Sequence, residues 1–157
     1  MKEKRGHIIA LKFMFFIYVL FTLYFLFFAE SMGRTGVREG YRYNIIPFKE
    51  IKRYIKWATV SEYGMKTMIL NIFGNIICFV PLGFFIPAVS KNIKKCIYVL
   101  LICAISSTVV EIIQLITMTG SCDVDDIFLN TAGGIIGYIC YAIAVRIKKY
   151  NKSLKNN

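Results

Sequence analysis

The stretch EIIQLITMTGSCDVDDIFLN, residues 111–130, places four carboxylates and two side-chain amides in and between two long apolar runs. The whole chain has 157 residues, of which 57% are hydrophobic and 15% aromatic, and its mean hydropathy is +0.57. This apolar share exceeds that of soluble domains and predicts a membrane protein. We therefore interpret the quoted stretch as a polar turn between two membrane-spanning helices.

Four apolar runs each have close to the ~20 residues that a helix needs to cross a bilayer. They cover residues 8–29, 68–89, 96–118 and 127–145 and leave little chain for a soluble domain. The first run is too long for the apolar core of a cleaved signal peptide and lacks a small-x-small cleavage site, so it reads as a retained signal anchor. We predict an all-α, polytopic membrane protein in which residues 1–157 form one domain with four transmembrane helices.

The net charge of +11 is concentrated at the ends of these spans, which indicates membrane orientation and lipid contacts rather than nucleic-acid binding. Three basic groups lie at alternate span ends: Lys2, Lys4 and Arg5; Lys91, Lys94 and Lys95; and Arg146, Lys148, Lys149, Lys152 and Lys155. With four spans these groups share one side. Basic residues favour the cytoplasmic side, so we predict a multi-pass protein of the cell membrane with both termini cytoplasmic.

The first loop contains YNIIPFKEIKRYIKWA, residues 43–58, which predicts an amphipathic interfacial helix over about residues 47–58. Pro47 suits the first turn of a helix. Apolar and basic residues fall on opposite faces: Phe48, Ile51, Tyr54, Ile55 and Ala58 against Lys49, Lys52, Arg53 and Lys56. Such a helix either anchors the loop at the membrane surface or also binds anionic ligands.

Strongly polar residues inside the predicted spans fall in one leaflet and on shared helix faces: Asn71 and Asn75 in the second span, Glu111 and Gln114 in the third, and Asn130 in the fourth. They either join helices through hydrogen bonds or form a site. An ionisable group inside a bilayer is costly, so Glu111 is the strongest candidate for function. The spacing of Gly133 and Gly137 predicts close helix packing. Pro81 and Gly83 predict a kink or a break in the second span.

The segment CDVDDIFLN, residues 122–130, has two further interpretations. Asp125 or Asp126 could cap the fourth span, because carboxylates favour helix N-termini. Together with Asp123 they could ligate a hard cation, but the segment lacks the length and the terminal glutamate of an EF-hand loop. No metal site and no cofactor is assigned. The five cysteines show no zinc-binding spacing, and only Cys122 lies in an outer loop.

These observations predict a polar pocket that spans two, three and four enclose and that opens to the outer leaflet. Glu111 would lie at its floor and the three aspartates at its rim. We expect the Glu111 carboxylate within hydrogen-bonding or one-water distance of Asn75, Asn130 or a first-loop arginine. The candidate arginines are Arg34, Arg38 and Arg42.

Four ordered motifs resemble those of VanZ-like membrane proteins, a family named for a teicoplanin-resistance factor. They are NIIPF (44–48), NIFGNIICFVPLGF (71–84), EIIQL (111–115) and CDVDDIFLNTAGGIIGY (122–138). Many relatives carry an arginine just before the aspartate segment, where this chain has MTGS. The resemblance and the polar pattern together give these candidate binding residues: Asn44, Pro47, Phe48, Asn71, Asn75, Glu111, Gln114, Asp123, Asp125, Asp126 and Asn130.

The resemblance implies a cell-envelope membrane protein that lowers susceptibility to teicoplanin-type lipoglycopeptides through an outer-leaflet polar site. The expected partners are membrane lipids and a lipid-linked cell-wall precursor or a lipoglycopeptide. We take a non-enzymatic binding role as the leading hypothesis. The alternative is an intramembrane hydrolase or transferase for a lipid-linked substrate, in which Glu111, Asp123, Asp125 and Asp126 would supply acid and base groups. A third possibility is a structural partner of another envelope protein. The oligomeric state is left open.

Overall fold

The computed structural model describes residues 2–24, 43–90, 92–118 and 120–155. Within these ranges there are six α-helices, in chain order α1 Lys2–Tyr24, α2 Lys49–Ala58, α3 Glu62–Met68, α4 Gly74–Val89, α5 Cys96–Thr117 and α6 Val124–Leu154. A π-helical turn, Ile69–Phe73, joins α3 to α4. Two short strands, β1 Tyr43–Asn44 and β2 Cys122–Asp123, pair in parallel. The predicted all-α class is confirmed, with this two-residue pairing as an addition.

Among the described residues, three helical segments are long and apolar enough to cross a membrane: Glu62–Val89, Cys96–Thr117 and Val124–Leu154. They correspond to the second, third and fourth predicted spans. The first predicted span contributes the shorter apolar segment Ile8–Tyr24, and its residues 25–29 lie outside the described residues. The count of four transmembrane helices therefore stays a prediction.

The helices at two of these spans are longer than their apolar cores. The second begins at Glu62 because the Ser61 hydroxyl accepts a hydrogen bond from the Gly64 N–H at 2.9 Å, which caps α3. The sixth helix continues past residue 145 to Leu154. Hydropathy marks only the part of a helix that is apolar, so it missed these polar extensions.

The sequence predicts either a kink or a break in the second span at Pro81 and Gly83. The span has no break there. Helix α4 continues through Pro81 and Pro87 to Val89. The irregular backbone lies earlier, at the π-helical turn. Gly83 instead lies against the backbone of α6, where a Cβ atom would come within 2.0 Å of the Gly134 carbonyl oxygen.

Close contact between α4 and α6 forms the centre of the bundle. We call Gly83, Gly133, Gly134 and Gly137 the glycine seam. A Cβ atom at three of these positions would lie about 2 Å from a backbone oxygen of the facing helix: Gly133 against Ile76, Gly137 against Val80, and Gly83 against Gly134. Small residues permit this approach, so the predicted packing role of the Gly133-x-x-x-Gly137 pattern is confirmed.

The buried apolar core adjoins the seam, with Phe79 and Ile86 on α4 and Val99 and Cys103 on α5. At the same end of the bundle, Lys94 donates hydrogen bonds to the Pro87 carbonyl and, at 3.2 Å, to the Tyr141 hydroxyl. A lysine beside a helix C-terminus satisfies carbonyls that lack a helical partner. The loop between α4 and α5 is thereby attached to α6.

Candidate functional site

Polar side chains fill the other end of the bundle, where α5 ends and α6 begins. Six of them are buried: Ser107, Glu111, Gln114, Asp123, Asp125 and Asn130. We call these six the polar cluster. Four hydrophobic side chains reach the same degree of burial in the described part of the chain. Buried polar groups in a protein interior need hydrogen-bond partners. The partners of these six side chains therefore show which helices and strands each of them joins.

Asp125, at the start of α6, caps the N-terminus of α2. Its side chain is fully buried, and its carboxylate accepts hydrogen bonds from the backbone N–H groups of Phe48 at 2.5 Å, Glu50 at 2.9 Å and Ile51 at 3.1 Å. The first N–H groups of a helix have no helical partner and carry a partial positive charge. A carboxylate therefore satisfies them strongly, and this contact fixes the amphipathic helix to the membrane bundle.

The turn before α2 is built for this contact. The Asn44 side chain accepts a hydrogen bond from the Ile46 N–H at 3.2 Å, and Phe48 has φ 63° and ψ 9°, a left-handed conformation that is unusual for an aromatic residue. The Phe48 ring stacks on Phe128 of α6, with centroids 5.7 Å apart. Pro47 therefore lies in a turn and not in the first helical turn, and the predicted interfacial helix begins at Lys49.

Asp123 connects three elements. Its Oδ1 accepts hydrogen bonds from the Asp125 N–H at 2.9 Å and from the Asn44 side-chain amide at 3.0 Å. The first of these bonds makes Asp123 the N-cap of α6, so the expectation that Asp125 or Asp126 caps this helix is wrong. Burial raises the pKa of the Asp123 carboxyl above its ordinary value, and the two hydrogen bonds only partly oppose that shift.

Glu111 points into the protein and not at lipid, with 2% of its surface exposed. Its carboxylate accepts a hydrogen bond from the backbone N–H of Asp123 at 2.8 Å, which attaches α5 to β2. The expected contact with Arg34, Arg38 or Arg42 involves positions outside the described residues. That part of the pocket hypothesis stays a prediction. Gln114 lies on the same buried face of α5.

Two side-chain bonds extend the polar network along α6. The Asn75 amide donates to the Asp126 carboxylate at 2.6 Å, which joins α4 to α6. The Asn130 amide donates to the Ser107 hydroxyl at 2.8 Å, which joins α6 to α5. The Asn130 Oδ1 atom is buried, and it has no hydrogen-bond partner among residues 2–24, 43–90, 92–118 and 120–155.

Asn71 lies in the π-helical turn, and its amide donates to the Thr67 carbonyl of α3 at 2.8 Å, a bond within one continuous helical segment. Two important features were absent from the predicted site. Ser107 could have been included, because it precedes Glu111 by one helical turn on the same face. The backbone N–H groups of Glu50 and Ile51 have no signature in the side-chain sequence.

The exposed side of α2 presents cations and an indole. A cavity of about 490 Å³ is lined by Arg53, Lys56, Trp57 and Val60. Arg53 pairs with Glu50 and lies over the Tyr54 ring, with its guanidinium carbon 5.1 Å from the centroid. No group of three or more His, Cys, Asp or Glu side chains in the described ranges is arranged to hold a metal ion. The described contacts place hydrogen-bonded carboxylates next to a basic helix.

The family model for VanZ/LLP1 matches residues 15–145, which is most of the chain. The chain belongs to the VanZ/LLP1 family. Comparisons with curated proteins and with solved structures gave no match. All four VanZ-like motifs lie inside the matched region, and the hydrogen bonds above bring parts of each into one connected network. The last ten described residues lie beyond the region that the VanZ/LLP1 model matches.

Proposed function

We propose that this VanZ-family membrane protein binds a lipid-linked cell-wall component or a lipid-tailed glycopeptide at the outer leaflet. By doing so it lowers susceptibility to teicoplanin-type lipoglycopeptides. The observation that supports this proposal most directly is the Asp125 cap, which ties a basic amphipathic helix to a buried polar cluster. Such a helix can meet the headgroup of an amphiphile while the bundle beside it meets the tail.

The proposed orientation puts both termini in the cytoplasm and α2 on the outer face. The basic groups at the N-terminus, in residues 91–95 and in residues 146–155 support it, while the first loop, residues 30–67, itself carries eight Lys and Arg against four Glu. In that orientation Cys122, in the strand before α6, lies on the outer side and Cys96, at the start of α5, on the inner side. A membrane-impermeant maleimide applied to intact cells should label Cys122 and spare Cys96. The reverse labelling would place α2 on the cytoplasmic side and overturn an outer-leaflet role.

The charges of α2 favour an anionic or phosphate-bearing ligand group. Arg53 is engaged by Glu50, whereas Lys49, Lys52 and Lys56 form no ion pair with a described residue and lie exposed. Each such lysine contributes about 1 kcal/mol to attraction near an anionic surface. Trp57 beside them has the amphipathic ring that is typical of headgroup depth.

Binding is favoured over the hydrolase or transferase alternative because the clustered carboxylates already hold the fold. Asp125 accepts three backbone N–H groups, and Asp123 accepts one backbone N–H and one side-chain amide. Glu111 accepts the Asp123 N–H. A general acid or base must reach a substrate proton, and these contacts occupy both carboxylate oxygens of Asp125 and one each of Asp123 and Glu111.

The proposal is tested by expressing the chain in a susceptible bacterium and measuring the inhibitory concentrations of teicoplanin and of a glycopeptide without an acyl tail. Wild-type protein should raise the first more than the second. The triple variant Lys49→Gln/Lys52→Gln/Lys56→Gln should lose most of this protection at equal membrane abundance. The matched control Lys148→Gln/Lys149→Gln/Lys152→Gln should retain the protection, because those lysines lie at the C-terminal end of α6, whereas α2 contacts its N-terminal end. Equal protection against both drugs, or full protection by the α2 variant, would contradict the proposal.

A further inference from the structure

Helix α6 is longer than a bilayer requires. Its 31 residues at ~1.5 Å per residue give roughly 45 Å, against a hydrocarbon core of about 30 Å. The N-terminal end is held in the polar cluster, so the excess lies at the C-terminal end. Residues 146–155 are all exposed, and no side chain among them forms an ion pair or a hydrogen bond with the described part of the chain.

This C-terminal segment is amphipathic. Ile147, Tyr150 and Leu154 are 55%, 65% and 59% exposed, and their spacing of three and four residues places them on one helix face. The face continues the exposed apolar stripe of the membrane-spanning part, formed by Ile136, Ile139 and Ile143. Lys148, Lys149, Lys152 and Lys155 lie on the opposite side, and Arg146 lies at the edge.

We propose that residues 146–155 bind the anionic phospholipid headgroups of the leaflet from which α6 emerges. If α6 tilts toward the side that carries Ile136, Ile139 and Ile143, the apolar face of residues 146–155 approaches the membrane interface, because it lies on the same side of the helix. Ile147, Tyr150 and Leu154 then enter the headgroup region. The lysine stems extend along the apolar boundary, and their ammonium groups reach lipid phosphates.

Charge selects lipid over a second copy of the chain as the occupant. The segment has five cations and no carboxylate. An anionic leaflet neutralises these cations when the stripe enters the interface, whereas a second copy packed on the stripe would leave all of them without a counter-charge. This inference does not rest on the function proposed above, because α2 contacts the opposite end of α6.

The test uses the single tryptophan of the chain. In a Trp57→Phe background, Tyr150→Trp places the only indole in the middle of the segment. The full-length protein is reconstituted into mixed vesicles in which either phosphatidylglycerol or phosphatidylcholine, as the minor component, carries brominated acyl chains. We expect brominated phosphatidylglycerol to quench this indole more strongly than brominated phosphatidylcholine does, and we expect the emission to shift to the blue.

Lys148→Gln/Lys149→Gln/Lys152→Gln should reduce the preference for the anionic lipid by up to about five-fold per lysine while it leaves the apolar contact in place. The matched control Lys49→Gln/Lys52→Gln/Lys56→Gln should leave it unchanged, and circular dichroism checks that each variant is folded. Equal quenching by the two lipids would overturn the proposal. So would a water-like emission spectrum. An indole shielded from both lipids, together with disulfide cross-linking of an Asn151→Cys variant, would assign the stripe to a second copy and overturn it as well.

Discussion

Two regions of α6 hold the bundle together by opposite means. At its start, Asp125 buries a carboxylate and satisfies three backbone N–H groups of another helix. Two to three turns later, Gly133 and Gly137 bring α6 against the backbone of α4 because they lack side chains. The first region depends on the Asp125 carboxylate, and the second depends on the lack of side chains at Gly133 and Gly137. Removal of the carboxylate should therefore disrupt the first region, and addition of side-chain atoms should disrupt the second.

The membrane explains why both devices are needed. Lipid tails are as apolar as leucine, so burial of apolar side chains does little to drive spanning helices together. Close backbone packing and hydrogen bonds take over that role. The glycine seam supplies the first, and the polar cluster supplies the second. This is consistent with a buried set in which polar side chains outnumber hydrophobic ones among the described residues.

The largest effect is expected from filling the seam. At Gly137 a Cβ atom would lie 1.9 Å from the Val80 carbonyl oxygen, and neither backbone can move without separating α4 from α6. Gly137→Leu should therefore lower the free energy of unfolding by at least about 3 kcal/mol, the upper end of ordinary overpacking. Thermal unfolding of the purified protein in detergent, with size-exclusion profiles, measures the loss.

Gly74 provides the matched control, because a Cβ atom there meets nothing within 4 Å. Gly74→Ala should be neutral or stabilising by up to ~1 kcal/mol, through the helix preference for alanine. If Gly137→Leu unfolds at the same temperature as wild type, close backbone contact in the seam is not what holds α4 and α6.

Removal of the Asp125 carboxylate should have a smaller and more local effect. Asp125→Ala leaves three N–H groups at the start of α2 without their acceptor, which should cost about 2–3 kcal/mol. Hydrogen exchange should accelerate at Phe48, Glu50 and Ile51, while the amides of the glycine seam keep their protection. Trp57 emission should shift to the red as α2 detaches.

An exposed carboxylate gives the control for Asp125. Glu62 pairs with Lys66 at 3.1 Å, but both side chains are mostly exposed. Glu62→Gln should therefore change the stability by less than about 0.5 kcal/mol. Uniform acceleration of exchange in Asp125→Ala, with the seam affected as much as α2, would show that the two regions form one cooperative unit.

The same comparison explains what the sequence could predict. Hydropathy located the second, third and fourth spans, and the spacing of Gly133 and Gly137 indicated the seam, because both signals are local in sequence. The sequence also identifies most polar residues of the cluster. It does not identify their hydrogen-bond partners, since Asp125 accepts from backbone N–H groups more than 70 positions earlier, and no side chain marks those groups. For that reason the sequence predicts the start of α2 too early. The wrong prediction for the cap of α6 is local, because Asp123, Asp125 and Asp126 are all of a residue type that suits an N-cap.

The smallest expected effect is the pH dependence of stability that Asp123 contributes within the polar cluster. Burial raises the pKa of the Asp123 carboxyl above its ordinary value of 3.8. The folded protein therefore holds this proton more tightly than the unfolded chain does, and stability falls as pH rises through the interval between the two pKa values. The contribution is fully present below the unfolded pKa and is lost above the folded one.

Asp123→Asn removes this titration and keeps the fold. Asparagine is as good an N-cap as aspartate, and its Oδ1 can still accept from the Asp125 N–H and the Asn44 amide. Every other group titrates in both proteins, so the difference between their unfolding temperatures isolates Asp123. As pH rises through a window that begins near the ordinary value of 3.8, wild type should lose stability relative to Asp123→Asn. The opposite slope would mean that the hydrogen bonds from Asn44 and Asp125 favour the ionised carboxylate more than burial disfavours it. Asp123 would then resemble a surface cap instead of a member of the buried cluster.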